Sequence, residues 1–180
     1  MKEILAFFVA AVCALSAMAT NYDGELTVTV NGEAAVMGTN ITVDKTSAGY
    51  DLSIKNFKLT SGDVTLPVGN IELKGCEGTE AFGITTIKYN KSVTITAGDD
   101  PKVGASEWLG PMLGDVPITM TAKLNDQVLS VNIDINLAAL QQVINVGFVG
   151  NAPQPAKGDI NADGAVNASD VTALINQVLE

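Results

Sequence analysis

The residues Leu26-Thr-Val-Thr-Val-Asn-Gly32 decide the fold class of the chain. Leu26, Val28 and Val30 alternate with two threonines, which is the period-two pattern of a strand with one buried and one solvent-facing side. Asn31 and Gly32 then supply a two-residue turn that often joins antiparallel strands, because both residues tolerate a positive φ. The stretch therefore predicts a β-hairpin.

The same alternation continues to about residue 150. Further strands are predicted around Ile41 and Val43, Tyr50 to Ile54, Val64 and Leu66, Ile71 and Leu73, Ile84 and Ile87, Val93 and Ile95, Ile118 to Ala122, Leu129 to Ile135, and Val146 to Val149. Eight or nine short antiparallel strands at regular spacing predict a meandering barrel or a sandwich. We favour the barrel, because closure removes the exposed edges of threonine-rich strands.

Three segments interrupt this pattern. Pro67 and Gly69 predict a strand edge or a bulge, since proline cannot donate to a ladder. Asn125-Asp126 predicts a turn. Residues 137–144 are the one stretch before the linker that we predict to be helical.

Five segments of the predicted barrel resemble the bacterial calycin-like domain, a secreted, lipocalin-like family of poorly defined function. They are Tyr22-Asp-Gly-Glu-Leu-Thr-Val-Thr-Val-Asn-Gly32, Leu66-Pro-Val-Gly-Asn-Ile71, Ile95-Thr-Ala-Gly-Asp-Asp-Pro101, Trp108-Leu-Gly-Pro-Met-Leu-Gly114 with Val116-Pro-Ile118, and Val131-Asn-Ile-Asp-Ile135. The resemblance implies an antiparallel β-barrel, whose interior is either filled by side chains or open to one small ligand. It implies no catalytic residue.

The segment Asp159-Ile-Asn-Ala-Asp-Gly-Ala-Val-Asn-Ala-Ser-Asp170 has the spacing of a calcium loop. Oxygen-bearing groups stand at loop positions 1, 3, 5, 7, 9 and 12, as a hard cation with six to eight oxygen ligands requires. The predicted Ca²⁺ ligands are Asp159, Asn161, Asp163, the carbonyl of Ala165, Asn167 and Asp170. Gly164 falls at the sharp turn, where a positive φ favours glycine. A polar turn without an ion is the alternative.

An amphipathic helix is predicted after this loop, because Val171, Leu174, Ile175 and Val178 recur at helical spacing. The proline-containing residues 151–157 before the loop predict a linker. The pattern Asp-x-Asn-x-Asp-Gly-x-Val-Asn-x-x-Asp-Val-x-x-Leu, from Asp159 to Leu174, resembles one dockerin type I repeat. Dockerins carry two such repeats and bind cohesin domains through loop positions 10 and 11, here Ala168 and Ser169. The resemblance therefore implies calcium binding and docking to a cohesin-like or cell-surface protein.

The start of the chain predicts a signal peptide. Lys2 precedes the apolar run Ile4 to Leu15, and Ala17-Met-Ala19 has the form of a cleavage site. A membrane anchor and lipidation at Cys13 are the alternatives, but the run is too short to cross a bilayer comfortably. We expect a secreted or cell-surface protein with no transmembrane helix after cleavage. The predicted organisation is signal peptide 1–19, barrel 20–150, linker 151–157 and dockerin-like repeat 158–180.

Composition excludes several classes of function. Loss of Lys2 and Glu3 with the signal leaves 9 lysines and 19 acidic residues, with no arginine or histidine, so the net charge of −10 persists. Nucleic acids and anionic membranes both favour basic patches, and we expect neither as a partner. Removal of the signal peptide also leaves Cys76 as the only cysteine, so an intramolecular disulfide is excluded. We expect Cys76 to be a buried or idle thiol.

The remaining motifs do not predict catalysis. Without histidine there is no Ser-His or Cys-His pair, and no Gly-x-Ser-x-Gly segment appears. Asp99-Asp100 before Pro101 is predicted to be a solvated turn. Trp108 is predicted to plug one barrel end against Met112 and Leu113, with a ligand platform as the alternative.

Three function hypotheses follow. The first is a non-catalytic exported binding or scaffolding protein with a calcium-ordered docking tail. The second is a lipocalin-type carrier of a small ligand or glycan. The third is a component of polysaccharide degradation associated with glycoside hydrolases, suggested by the dockerin resemblance. A filled barrel favours the first hypothesis over the second, and the third requires two opposed carboxyl groups.

Overall fold

The chain forms an eight-stranded antiparallel β-barrel followed by a loop and one helix. The computed structural model describes residues 19–61, 63–125, 127–137, 142–154, 156–161 and 165–179. The strands are β1 Thr20–Val30, β2 Glu33–Thr46, β3 Gly49–Ser61, β4 Val64–Ala81, β5 Ile84–Thr94, β6 Asp115–Leu124, β7 Val128–Leu137 and β8 Gln142–Asn151. The helix α1 spans Ala168–Leu179. The predicted mainly β fold with a meandering barrel is confirmed.

The barrel closes because β8 pairs with β1 as well as with β7. Asp23 faces Asn151 at one end of the closing ladder, and Val30 faces Ile144 at the other. The hairpin predicted from Asn31-Gly32 joins β1 to β2, which pair from Val30 opposite Glu33 to Thr20 opposite Val43. Both turn residues have positive φ, 50° at Asn31 and 91° at Gly32.

Every strand places alternate side chains inside the barrel, as the pleat requires. Leu26 shows the register, since it faces Met37 on one side and Phe148 on the other. The inward side chains form one hydrophobic core, whose largest fully buried members are Phe148, Leu26, Ile41, Ile87, Met120, Leu129, Val116 and Cys76. Between β3 and β7 this core leaves a cavity of about 20 Å³, lined by Ile41, Leu52, Ile54 and Ile133 among others. That volume is little more than a water molecule needs.

The predicted irregularity at Pro67 and Gly69 is a bulged region of the β3–β4 ladder. The register shifts on either side of Phe57, which faces Gly69, while Lys58 faces Pro67. Asn56 lies within the bulge with a φ of 51°. Asparagine tolerates this left-handed conformation better than most residues.

The prediction of a helix at residues 137–144 is wrong. β7 continues to Leu137, which faces Gln142 of β8, and Ile135 faces Ile144. The stretch has helix-compatible local spacing, but β1 needs a partner to close the barrel, and that tertiary pairing overrides local propensity. Residues 138–141 lie outside the described part, as does Asp126 of the predicted turn. On the described side of that turn, the Asn125 carboxamide oxygen accepts hydrogen bonds from the N–H groups of Gln127 and Val128.

Residues 95–114, which we call the capping segment, connect β5 to β6 and lie against β3 and β4. A bridge between Asn70 and Thr96 attaches its start to β4, and the N–H of Leu109 donates to the carbonyl of Pro67 at 2.9 Å. Trp108 is 2% exposed and packs beside Gly98, where a Cβ would come within 2.4 Å of the indole ring. The tryptophan is therefore buried within the capping segment, separately from the side chains of the barrel core.

Neither of the predicted neighbours of Trp108 is buried with it. Met112 is 70% exposed, and Leu113 is also exposed. A 3₁₀ turn at Gly110–Met112 redirects the chain, because Gly110 is buried where a Cβ would meet Ile95 and the carbonyl of Val68. The side chains that follow consequently point to solvent.

Asp99 and Asp100 attach the capping segment to β3, whereas the sequence predicted only a solvated turn at these residues. The side-chain oxygen of Asn56 accepts the N–H groups of Asp99 and Asp100 at 2.8 and 3.2 Å. The Asn56 amide group donates to Asp99 Oδ1 at 2.6 Å. Lys58 Nζ lies 2.6 Å from Asp100 Oδ2 and, as the main cause, holds the pKa of that carboxyl below its usual value. These contacts fasten the capping segment to the bulge in β3.

Candidate metal site in the C-terminal loop

The loop between residues 159 and 170 closes on itself through the side chain of Asp170. Its Oδ1 accepts the N–H of Ile160 at 2.7 Å and that of Asn161 at 3.3 Å. Its Oδ2 accepts the N–H of Asn167 at 2.7 Å. One carboxylate therefore joins the beginning of the loop to the beginning of α1.

The same contacts cap the helix. Asn167 is the residue before α1, and its Oδ1 accepts the N–H of Ser169 at 2.8 Å. Asp170 Oδ2 accepts the N–H of Asn167, which is the contact that the third helical residue makes in a capping box. Sequence reasoning assigned both residues only as ligands. The Asn-x-x-Asp spacing was the available signal for the capping role.

Two carboxylates are buried in this small unit. Asp159 is 7% exposed and Asp170 is 3% exposed, whereas most of the loop is solvent-exposed. Hydrogen bonding by the N–H of Asn167 is the largest cause that lowers the pKa of Asp170, and burial opposes it. The lowered pKa keeps the Asp170 carboxylate charged at neutral pH, a condition that a cation ligand must meet.

The other predicted ligands lie at the loop surface. The carbonyl of Ala165 accepts the Asn167 amide group at 3.1 Å, and Asn161 is exposed. Asp163 and Gly164 lie outside the described residues. Within the described ranges no three acidic or thiol side chains are grouped closely enough to hold a metal ion. The described donors are all oxygens, which suits calcium rather than a softer metal.

One side of α1 is apolar and exposed to solvent. Val171, Leu174, Ile175 and Val178 are each about half exposed or more. An isolated helix of this length is marginal in water, so an apolar stripe of this kind needs a covering surface.

The comparisons with known proteins bear on both parts of the chain. The dockerin type I domain profile matches residues 132–179. The first part of that match falls on β7 and β8, so the loop and α1 are the described part with a dockerin-like form. No curated protein sequence matches the chain.

A solved structure with a similar fold comes from Bacteroides fragilis NCTC 9343, where it is described as a "putative outer membrane protein". It is 14% identical in sequence, with a TM-score of 0.53 over 74% of this chain and 50% of that protein. At this identity the likeness concerns the fold alone, and the present chain spans about half the length of that structure.

No described helix has the length and apolar character needed to cross a membrane. The calycin-like β-barrel domain profile matches residues 18–151, which include all eight strands of the barrel. The chain therefore belongs to the calycin-like β-barrel domain family and carries a dockerin type I match at its C-terminal end.

Proposed function

We propose that this protein is exported, has no catalytic activity, and docks to another protein through a C-terminal unit ordered by Ca²⁺. The observation that carries the proposal is the junction made by Asp170, which ties the loop to α1 while α1 exposes Val171, Leu174 and Ile175. The rigid barrel is then the body to which the docking unit is attached.

Calcium would act at this junction by neutralising buried charge. Asp159 and Asp170 are buried, and Asp163 of the same loop adds a third carboxylate in sequence. Asp159, Asn161, Asp163, the Ala165 carbonyl, Asn167 and Asp170 would hold the ion. Mutual repulsion of the carboxylates opposes the closed loop, and a divalent cation removes that repulsion.

Chemical features of the barrel support a non-catalytic role. Cys76 is buried with no exposed surface, and desolvation raises the pKa of its thiol to about 11, so it is a poor nucleophile. Asp100 is engaged by Lys58. A role in polysaccharide degradation would rest on the dockerin likeness alone.

Carriage of a ligand buried in the barrel core is the weaker alternative. The core cavity between β3 and β7 measures about 20 Å³, far below the several hundred Å³, roughly, of ordinary ligand pockets. Export and surface location are proposed from the predicted signal peptide, and the dockerin match is consistent with them.

Limited proteolysis of the mature chain tests calcium ordering. We expect cleavage within residues 156–170 to accelerate on addition of EDTA and to slow again with excess Ca²⁺, while the barrel remains intact. The Asp159→Ala variant should be cleaved rapidly both with EDTA and with excess Ca²⁺. Asp23→Ala, an exposed barrel position of the same residue type, is the matched control and should behave as wild type. Equal cleavage rates with and without EDTA would contradict the proposal.

Docking is tested by pull-down from the secretome of the native organism with Ca²⁺ present. A double substitution, Leu174→Asp with Ile175→Asp, should abolish capture but leave Ca²⁺ affinity within about twofold of wild type, because both residues lie outside the predicted ligand set. The Asp159→Ala substitution should reduce both the capture of the partner and the Ca²⁺ affinity. A protein captured equally by all variants would argue against docking through α1.

A further inference from the structure

The barrel end where β1 begins and β8 ends carries polar side chains in the inward register. Along β2 and β3 the inward pair Val43–Leu52 is buried, and the next inward pair towards this end is Lys45–Tyr50. Along β4 and β5 the corresponding pair is Glu80–Thr85. Because every second residue of a strand faces the same side of the sheet, Lys45 and Glu80 point into the barrel mouth, above the hydrophobic core.

These inward residues surround a recess of about 530 Å³. Its wall includes Thr20, Lys45, Tyr50, Glu80, Thr85 and Asn125. Tyr22, which is buried, and Leu124 also line the recess. The volume falls within the range of roughly 300–1,000 Å³ that ligand sites occupy. It is separate from the capping segment, which lies against β3 and β4 around the bulge.

Tyr50 is held in a fixed position at this recess. Its ring lies over Gly78, where a Cβ would come within 2.2 Å of the ring, so any larger residue would displace the tyrosine. Lys45 Nζ lies 5.8 Å from the ring centroid, close enough for a cation–π contact. The aromatic ring is thus positioned by the sheet, and it is partly exposed.

We propose that this recess binds a neutral carbohydrate. The wall provides an ammonium donor, a carboxylate acceptor, three hydroxyls and a carboxamide, a mixture that matches the many donors and acceptors of a sugar. Tyr50 adds an aromatic surface for the apolar face of a sugar ring.

Charge excludes the competing ligand classes. Among the described lining residues the charges of one lysine and one glutamate offset each other, so these residues attract neither a phosphate nor a free cation strongly. An apolar ligand would remove water from Lys45 and Glu80 without replacing their hydrogen bonds, which is unfavourable. A neutral polyhydroxylated molecule satisfies both groups.

The test uses the full mature chain with a panel of neutral trisaccharides, namely gluco-, xylo-, manno- and galacto-configured, and with trigalacturonate as the acidic arm. Saturation-transfer NMR identifies binders, and calorimetric titration gives their dissociation constants. We expect at least one neutral trisaccharide to bind. Glu80→Gln and Lys45→Met should each weaken it by about tenfold, the loss expected for one hydrogen bond to a charged group.

The matched controls are Glu25→Gln and Lys123→Met, which change the same residue types on the outer surface of the barrel. Both should bind within about twofold of wild type, and thermal unfolding should show that all four variants fold. Failure of every neutral trisaccharide at millimolar concentration, binding of trigalacturonate alone, or equal losses in recess and control variants would overturn the proposal. Asp159→Ala should retain sugar binding, which separates this result from the proposed docking function.

Discussion

At the scale of single residues, Cys76 shows how the closed core controls the chemistry of a side chain. Its Sγ donates to the carbonyl of Leu73 at 3.4 Å, and desolvation raises its pKa from 9.0 to about 11. We expect iodoacetamide at pH 8 to modify the folded protein far more slowly than the urea-unfolded chain, as followed by mass spectrometry. Equal rates would show that the thiol is accessible.

The raised pKa also gives a pH dependence of stability. The folded state keeps the thiol proton to higher pH than the unfolded state does, so the contribution is complete below pH 9 and is lost as the pH rises towards 11. Urea midpoints measured from pH 8 to 11 should fall over this window. Cys76→Ser, which does not ionise here, should show a smaller fall over the same range.

Phe82 occupies a conformation that disfavours its residue type. It begins the β4–β5 turn with a φ of 53°, Gly83 follows at 73°, and the ring is fully exposed. Replacing Phe82 by Asn should raise the free energy of unfolding by about 1 kcal/mol, because asparagine tolerates the left-handed region in such turns. Urea denaturation measures the change. Asn31→Phe is the converse variant at the other hairpin, and it should lower the stability by a similar amount.

The two hairpins also show what local sequence can predict. Asn31-Gly32 was predicted because both residue types favour positive φ. Phe82-Gly83 was not, since an aromatic residue at the first turn position gives no such signal. The pairing of Ala81 with Ile84 on either side of the turn imposes its conformation, and this pairing cannot be read from the two turn residues.

At the scale of elements, Asn56 is the main attachment of the capping segment to β3. Asn56→Gly should cost about 1–2 kcal/mol of unfolding free energy, because its side chain makes hydrogen bonds to Asp99 and Asp100. Asn56→Ala should cost about 1 kcal/mol more, because alanine disfavours the φ of 51°. Equal stability of the two variants would show that backbone strain plays no part. Urea denaturation distinguishes these outcomes.

The elements themselves were predictable where a strand has one buried side. Alternation predicted the hairpin at β1 and the central strands, and apolar residues at helical spacing predicted the amphipathic helix α1. Sequence pattern failed at Leu137 and at residues 142–144, which lie in strands because β8 pairs both with β7 and with the distant β1. It also could not show that Trp108 packs on Gly98, because those residues meet only after the capping segment folds back.

At the scale of the whole molecule, the barrel and the C-terminal unit should unfold independently. The closely packed elements among the described residues are the barrel strands and the 3₁₀ turn on β4, and α1 exposes its apolar side. Removing residues 155–180 should therefore change the melting temperature of the barrel by less than about 2 °C, within the range of a surface change. Calorimetry of the full and shortened chains is the measurement. A drop of several degrees would mean that α1 supports the barrel.

The candidate metal loop was predictable from its spacing, but the inward polar recess was not. Spacing places Asp159 and Asp170 at the ends of one loop, and the structure joins those ends through Asp170. Lys45 and Glu80 look like ordinary solvent-facing strand residues in the sequence. Only the register of β2 with β3 and of β4 with β5 shows that they face inward.

Asp23, near the start of β1, pairs with Asn151 at the end of β8, and this places the start of the linker close to the proposed recess. The polypeptide leaves the last strand at the rim that also bears Lys45 and Glu80, so the tether starts beside the mouth. If a polysaccharide surface displayed both the sugar and the docking protein, each attachment would raise the effective concentration of the other. Two weak contacts would then give strong retention, and lengthening the tether would weaken it.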